Sequence, residues 1–133
     1  MSLIQIIYTS QPFGFDDARL ASILMEARRC NARDNITGAL IAREDLYLQM
    51  LEGPEEAVDA TFNRIKKDDR HLEVTLLLRR PANTRLFPDW SMRDDPPDTW
   101  MWSRDQVKAG ALAQATEDEA LGIFKRLAAD DAA

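Results

Sequence analysis

Apolar and polar positions along the chain alternate first with the period of a strand and then with that of a helix. Leu3 to Tyr8 is a β-branched, apolar run with Ile4, Ile6 and Tyr8 on one face. The turn-prone stretch Ser10 to Gly14 ends this strand. Asp16 or Asp17 can cap the next segment, where Leu20, Ile23, Leu24 and Ala27 recur at helical spacing toward Cys30 and Asn31, and the helix ends near Arg33. Ile36 to Ala42 and Leu46 to Leu51 predict two strands of a hairpin across the polar Arg43 to Asp45. Gly53, Pro54, Glu55 and Glu56 suit a helix start, with proline in the first turn and acids at the positive dipole end, and the apolar stripe that follows is Val58, Phe62 and Ile65. Leu72 to Leu78 predicts a further strand, and Leu86 to Met92 a shorter one broken by Pro88. Asp94 to Asp98 ends the pattern. Beyond it Thr99 to Leu112 and Thr116 to Ala129 read as helices, the second opening on a capping box, Thr116 to Glu119, ahead of an apolar stripe of Leu121, Phe124 and Ala128.

The order βαββαββ predicts an α+β sandwich with both helices on one face of an antiparallel or mixed sheet. A sheet left bare on its other side would expose Leu and Ile in bulk, so the last two helices are expected to cover that face or a partner. Residues 1–95 then form the sandwich and residues 96–133 a helical extension for output or oligomerisation. The chain shows neither an internal repeat nor a low-complexity tract.

Composition narrows the classes of function. A chain of 133 residues, 45% hydrophobic and 30% charged, can bury one ordinary core. Its net charge of −6 disfavours a sequence-independent grip on phosphate backbones, so no direct nucleic-acid partner is expected. Cys30 is the single cysteine, which excludes an internal disulfide and a multi-cysteine metal site. The N-terminus lacks the basic and apolar regions of a secretion signal, and no apolar run approaches the roughly 20 residues of a membrane span. The expectation is a cytoplasmic protein with no membrane contact.

Three polar side chains fall where periodicity predicts core: Tyr8 on the Ile4 and Ile6 face, Gln49 within the strand Leu46 to Leu51, and Asn31 four residues after Ala27. An unpartnered buried amide costs about 1 to 3 kcal/mol, so each must find a partner. A shared heterocyclic ligand with carbonyl and N–H groups would satisfy all three. Each also has a purely structural account: a buried tyrosine bonding backbone, an asparagine closing a helix in the left-handed conformation, a glutamine on an edge strand. His71 is the only histidine, no metal-ligand spacing occurs, and no glycine-rich phosphate loop is present. Arg79, Arg80 and Arg85 read as a solvent-facing rim.

Several motifs coincide in order with a known family: I-I-Y-T-S at the first strand, N-A-R-D-N-I-T-G-A-L, L-Q-M-L-E-G-P, K-D-D-R-H, and F-P-D-W-S-M-R. In these the chain resembles the BLUF domains, bacterial sensors of blue light using flavin, over residues 3 to about 93. The resemblance implies a ferredoxin-like sandwich with a flavin between the two helices, usually FAD, with FMN or riboflavin as alternatives. It places Tyr8 and Gln49 at the ring edge as a photochemical switch, Asn31 on the carbonyl and imide edge, and Ile23 against the ring. It also places Arg64, Asp68 and Arg70 toward the ribityl and phosphate side, and makes Trp90 and Met92 a signal relay on the fifth strand. Cys30 stands beside the ring where some members carry histidine or asparagine, and Met50 where others carry tryptophan.

The implied function is that of a blue-light photoreceptor. Light rearranges the Tyr8 and Gln49 hydrogen bonds into a red-shifted state that reverts in the dark. The change passes through the fifth strand and the C-terminal helices to a separate partner protein, with no turnover chemistry and with homo-oligomers expected. Trp100, Met101 and Trp102 are the candidates for partner contact or self-association, or else for capping the sheet. Two rivals remain at this point: a small enzyme of acylphosphatase-like architecture, and a ligand-binding regulatory module of the same general fold.

Overall fold

A computed structural model describes residues 3–12, 17–43, 46–68, 71–88, 93–95, 102–110 and 114–132. The strands are β1 (Leu3–Pro12), β2 (Thr37–Arg43), β3 (Leu46–Pro54), β4 (His71–Ala82) and β5 (Arg93–Asp95). The helices are α1 (Asp17–Arg33), α2 (Glu55–Lys66), α3 (Arg104–Lys108) and α4 (Glu117–Ala132). The strands form one sheet in the order β4-β1-β3-β2-β5. The first four are antiparallel to their neighbours, and β5 runs parallel to β2.

Alternation along the strands sorts the side chains onto two buried faces. Ile4, Ile6, Tyr8, Leu40, Tyr47 and Leu51 face α1 and α2, where Ile23, Leu24 and Val58 meet them. Ile7, Ala39, Ile41, Leu48, Met50 and Leu78 face the other way, onto Leu121, Ile123, Phe124 and Leu127 of α4. The last helix therefore covers the second face of the sheet. Its expected capping box is present, with the Glu119 amide donating to Thr116 Oγ1 at 3.1 Å and the Thr116 amide donating to Glu119 Oε1 at 3.2 Å. Trp102 is buried in the same cluster, so it caps the sheet. Trp100 and Met101 lie outside the described residues.

The structure corrects several boundaries. β1 continues through Ser10 and Gln11 to Pro12 where a turn was expected, because Ser10 pairs with Tyr47 and Pro12 with His71. The described part of the expected strand Leu86 to Met92 is bent and turning; strand pairing occurs later, at Arg93–Asp95, within the acidic stretch expected to end the pattern. Of the expected helix Thr99 to Leu112, the described residues 102–110 hold α3, opened by a Ser103 and Gln106 capping box and followed by Gly110 at φ 92°. Asn31 does not close α1 in the left-handed conformation. That position is Asn35, at φ 60°, and the amide of Ile36 reaches back to the Asn31 carbonyl at 2.8 Å.

The arginine rim is also revised. Arg79 is exposed and pairs with Glu55 and Asp59 of α2. Arg80 Nε instead donates to Gln5 Oε1 at 3.2 Å, and Arg85 donates to Thr37 Oγ1 and to the carbonyls of Glu52 and Asn35. The last two arginines hold strands and turns together. β2 and β3 approach closely at Gly38, where an added Cβ would lie 2.0 Å from the Met50 carbonyl oxygen. Only glycine permits that register.

Candidate functional site

β1 and β3 are adjacent and antiparallel, and their register sets Tyr8 directly opposite Gln49. The pairing of β1 with β4 shifts between Ile7 and Tyr8, an irregularity of the kind that re-aims a side chain next to a site. Tyr8 is fully buried and Gln49 is 3% exposed. The Tyr8 hydroxyl donates to Gln49 Oε1, so the phenol and the amide bond to one another across the strand pair. Phe62 of α2 packs on the Tyr8 ring at 5.1 Å between centroids, tilted by 47°.

In front of Gln49, between α1 and α2, lies a cavity of about 310 Å³. This is at the lower end of the roughly 300–1,000 Å³ of small-molecule sites. Ile23, Ala27, Leu51 and Ile65 give it apolar walls. Gln49, Asn31 and Thr61 supply neutral donors and acceptors, all three buried. Glu26, Arg64 and Asp68 add charge, and Cys30 completes the lining on the α1 side. Apolar walls with a few convergent amides and a hydroxyl suit a flat heterocycle edged with carbonyls and N–H groups, so the residues present fit a flavin ring.

Six of the residues singled out in the sequence, Ile23, Cys30, Asn31, Gln49, Arg64 and Asp68, thus line one cavity. Tyr8 stands behind it, bonded to Gln49. Arg70, Trp90 and Met92 lie outside the described residues. Met50 is buried on the α4 face and points away from the cavity. The strand alternation that picked out Gln49 already puts position 50 on the opposite face. Sequence reasoning passed over Thr61 and Glu26. The available signal was position: Thr61 precedes Phe62 on α2, and Glu26 lies three residues after Ile23, so both border the apolar stripes.

Burial pushes the Tyr8 hydroxyl well above the ordinary phenol value, and the negative charge of Asp68 adds to the effect. Tyr8 therefore holds its proton throughout the neutral range. Below a pH of about 10 the phenol is protonated folded and unfolded alike, and its contribution to stability is fully present. Above that value the unfolded chain ionises while folded Tyr8 does not, and stability falls by about 1.4 kcal/mol per further pH unit until the folded pKa is reached. Urea midpoints measured from pH 9 to 11 are expected to fall more steeply in the wild type than in Tyr8→Phe. Parallel curves for the two proteins would contradict this account.

A ferredoxin-like sheet with a mixed-polarity cavity under two helices, closed at its back by a bonded phenol and amide, defines a small-molecule-binding α+β domain. The BLUF family model, sensors of blue-light using FAD, matches residues 3–93. The chain belongs to the BLUF family. The beta subunit of photoactivated adenylate cyclase from Euglena gracilis is 39% identical over 74 residues, covering 55% of this chain and 9% of that protein. The chain thus spans a small part of that curated relative. The dark-state structure of BlrB, a BLUF protein, superposes with a TM-score of 0.79 at 30% identity, over 97% of each chain. The photo-activated state of BlsA gives 0.76 at 26% identity, over 93% of this chain and 92% of the other. BLUF domains bind FAD and sense blue light, and this domain is a flavin-dependent blue-light photoreceptor. Among the described residues, no helix is long and apolar enough to cross a membrane.

Proposed function

We propose that this chain is a photosensor without turnover chemistry, in which the Tyr8 and Gln49 pair converts blue-light absorption into a changed hydrogen-bond pattern read by a separate partner protein. The observation that carries the reading is the buried hydrogen bond from the Tyr8 hydroxyl to Gln49 Oε1 at the back of the cavity. Flavin, when bound, supplies the absorption of blue light and a one-electron acceptor. Asn31 and Gln49 are the groups to hold the polar edge of its ring, and Ile23 the group to pack on the ring, with Cys30 beside it. Arg64, Asp68 and Arg70 are assigned to its polar chain.

The switching chemistry belongs to the protein's own side chains. Tyr8 holds a proton at its hydroxyl and Gln49 accepts it at Oε1. A primary amide carries an acceptor at one end and a donor at the other, so turning it over, or tautomerising it, exchanges what it offers to Tyr8 and to the cavity. In a site screened from water such an exchange is worth more than it would be at the surface. The relay is assigned to Trp90 and Met92, the output to residues 96–133.

The test is an absorption spectrum of purified holoprotein before and after blue illumination. We expect flavin bands that move slightly to the red and return in the dark. Protein that folds without flavin, or bands that stay fixed under the lamp, would overturn the proposal.

A further inference from the structure

Glu52 lies on β3, three residues beyond Gln49, and so on the opposite face of the sheet. It is 1% exposed and shares that face with Met50 and Leu48, against the layer formed by α4. A carboxylate is an expensive occupant of such a place unless hydrogen bonds surround it. Here Gln5 Nε2 donates to Oε2 at 2.7 Å, the backbone amide of Leu86 donates to Oε2 at 2.7 Å, and that of Phe87 donates to Oε1 at 2.8 Å. Gln5 is itself held, accepting from Arg80 Nε at 3.2 Å. Charge-assisted bonds to consecutive amides are short, directional and strong. The carboxylate therefore clamps the chain that leaves β4 onto the strand that carries Gln49.

The clamped residue touches the last helix. Phe87 is buried, and its ring meets Phe124 of α4 edge to face, with centroids 6.3 Å apart and planes at 87°. Arg85 draws the same turn to β3 by donating to the Glu52 carbonyl at 3.1 Å. A continuous line of contacts thus runs from the strand behind the cavity, through Glu52 and the Phe87 backbone, to a ring in the middle of α4. A well-packed apolar side chain would fill the Glu52 position at lower desolvation cost. Holding Phe87 in register with β3 is the service that only an acceptor of two amides provides.

We propose that Glu52 is a positioning residue for signal output, keeping Phe87, and through it α4, in step with the strand bearing Gln49. This rests on the assignment of the C-terminal helices as output. The experiment is hydrogen exchange read by mass spectrometry on FAD-loaded wild type, Glu52→Gln and Phe87→Leu, each in the dark and under continuous blue light. In the wild type, exchange at the amides of residues 117–132 should differ between dark and light. Both variants should keep the red shift of the flavin bands, because Tyr8 and Gln49 are intact, while their light-minus-dark difference in α4 falls at least fivefold. A purely structural role would raise α4 exchange equally in dark and light and leave the difference in place. That result, or a red shift lost in Glu52→Gln, would overturn the inference. A wild type with a normal red shift and no α4 response would overturn the output assignment itself. Should Glu52→Gln fail to fold, Phe87→Leu decides alone, since it keeps the clamp and removes only the ring contact.

Discussion

Replacing Gln49 with leucine is expected to abolish the light-induced spectral shift while leaving flavin bound. Leucine approximates the volume of glutamine, so the cavity between α1 and α2 keeps its shape, and Asn31, Thr61 and the apolar walls remain to hold the ring. What disappears is a group that is bonded to the Tyr8 hydroxyl and also faces the cavity. Tyr8, fully buried, then loses its acceptor, which is expected to cost about 1 to 3 kcal/mol of stability. Spectra with and without illumination, paired with urea unfolding in the dark, measure both effects in one preparation. A variant that still shifts to the red would show that the switch lies elsewhere.

Truncating Phe124 to alanine is expected to cost about 3 to 5 kcal/mol. The ring is fully buried in the layer between the sheet and α4, meets Phe87 edge to face, and is joined there by Leu121, Ile123 and Leu127. Its removal leaves a cavity at the centre of that layer, and with total stabilities of about 5 to 15 kcal/mol the loss is a large share. Urea denaturation followed by far-ultraviolet circular dichroism reports it, and exposure of Trp102 to a fluorescence quencher should increase, because that ring belongs to the same cluster. A loss below about 1 kcal/mol would mean that α4 does not cover the sheet in solution.

Much of the architecture was legible from periodicity. The helical stripes of α1 and α2 and the alternation along β1 and β3 are local properties, and local properties survive into the fold when each agrees with its neighbours. The places that departed are those where a distant partner overrides the local signal. Ser10 and Gln11 read as turn residues, yet β3 and β4 offer them hydrogen-bonding edges, and β1 continues. Arg80 and Arg85 read as solvent-facing because charge usually is, yet both meet side chains or carbonyls brought near by strand pairing. Asn31 and Asn35 both lie near the end of α1, and either could adopt the left-handed conformation; the Ile36 amide bonded to the Asn31 carbonyl selects Asn35. Glu52 carries no local signal of its role, because its partners, Gln5 and the amides of Leu86 and Phe87, lie 34 or more positions away in the chain.

For the site, the chain alone determined which positions are polar on faces that must be buried, because alternation and helical spacing depend only on neighbours in sequence. It thereby picked out Tyr8, Gln49 and Asn31, and ordered motifs supplied the family. Which of these groups meet was decided by the tertiary structure alone. The antiparallel register of β1 and β3 joins Tyr8 to Gln49 across 41 positions of chain, and the packing of α1 beside α2 leaves a cavity in front of them. Register and helix packing depend on contacts between segments far apart in the chain, and no local periodicity encodes such distances.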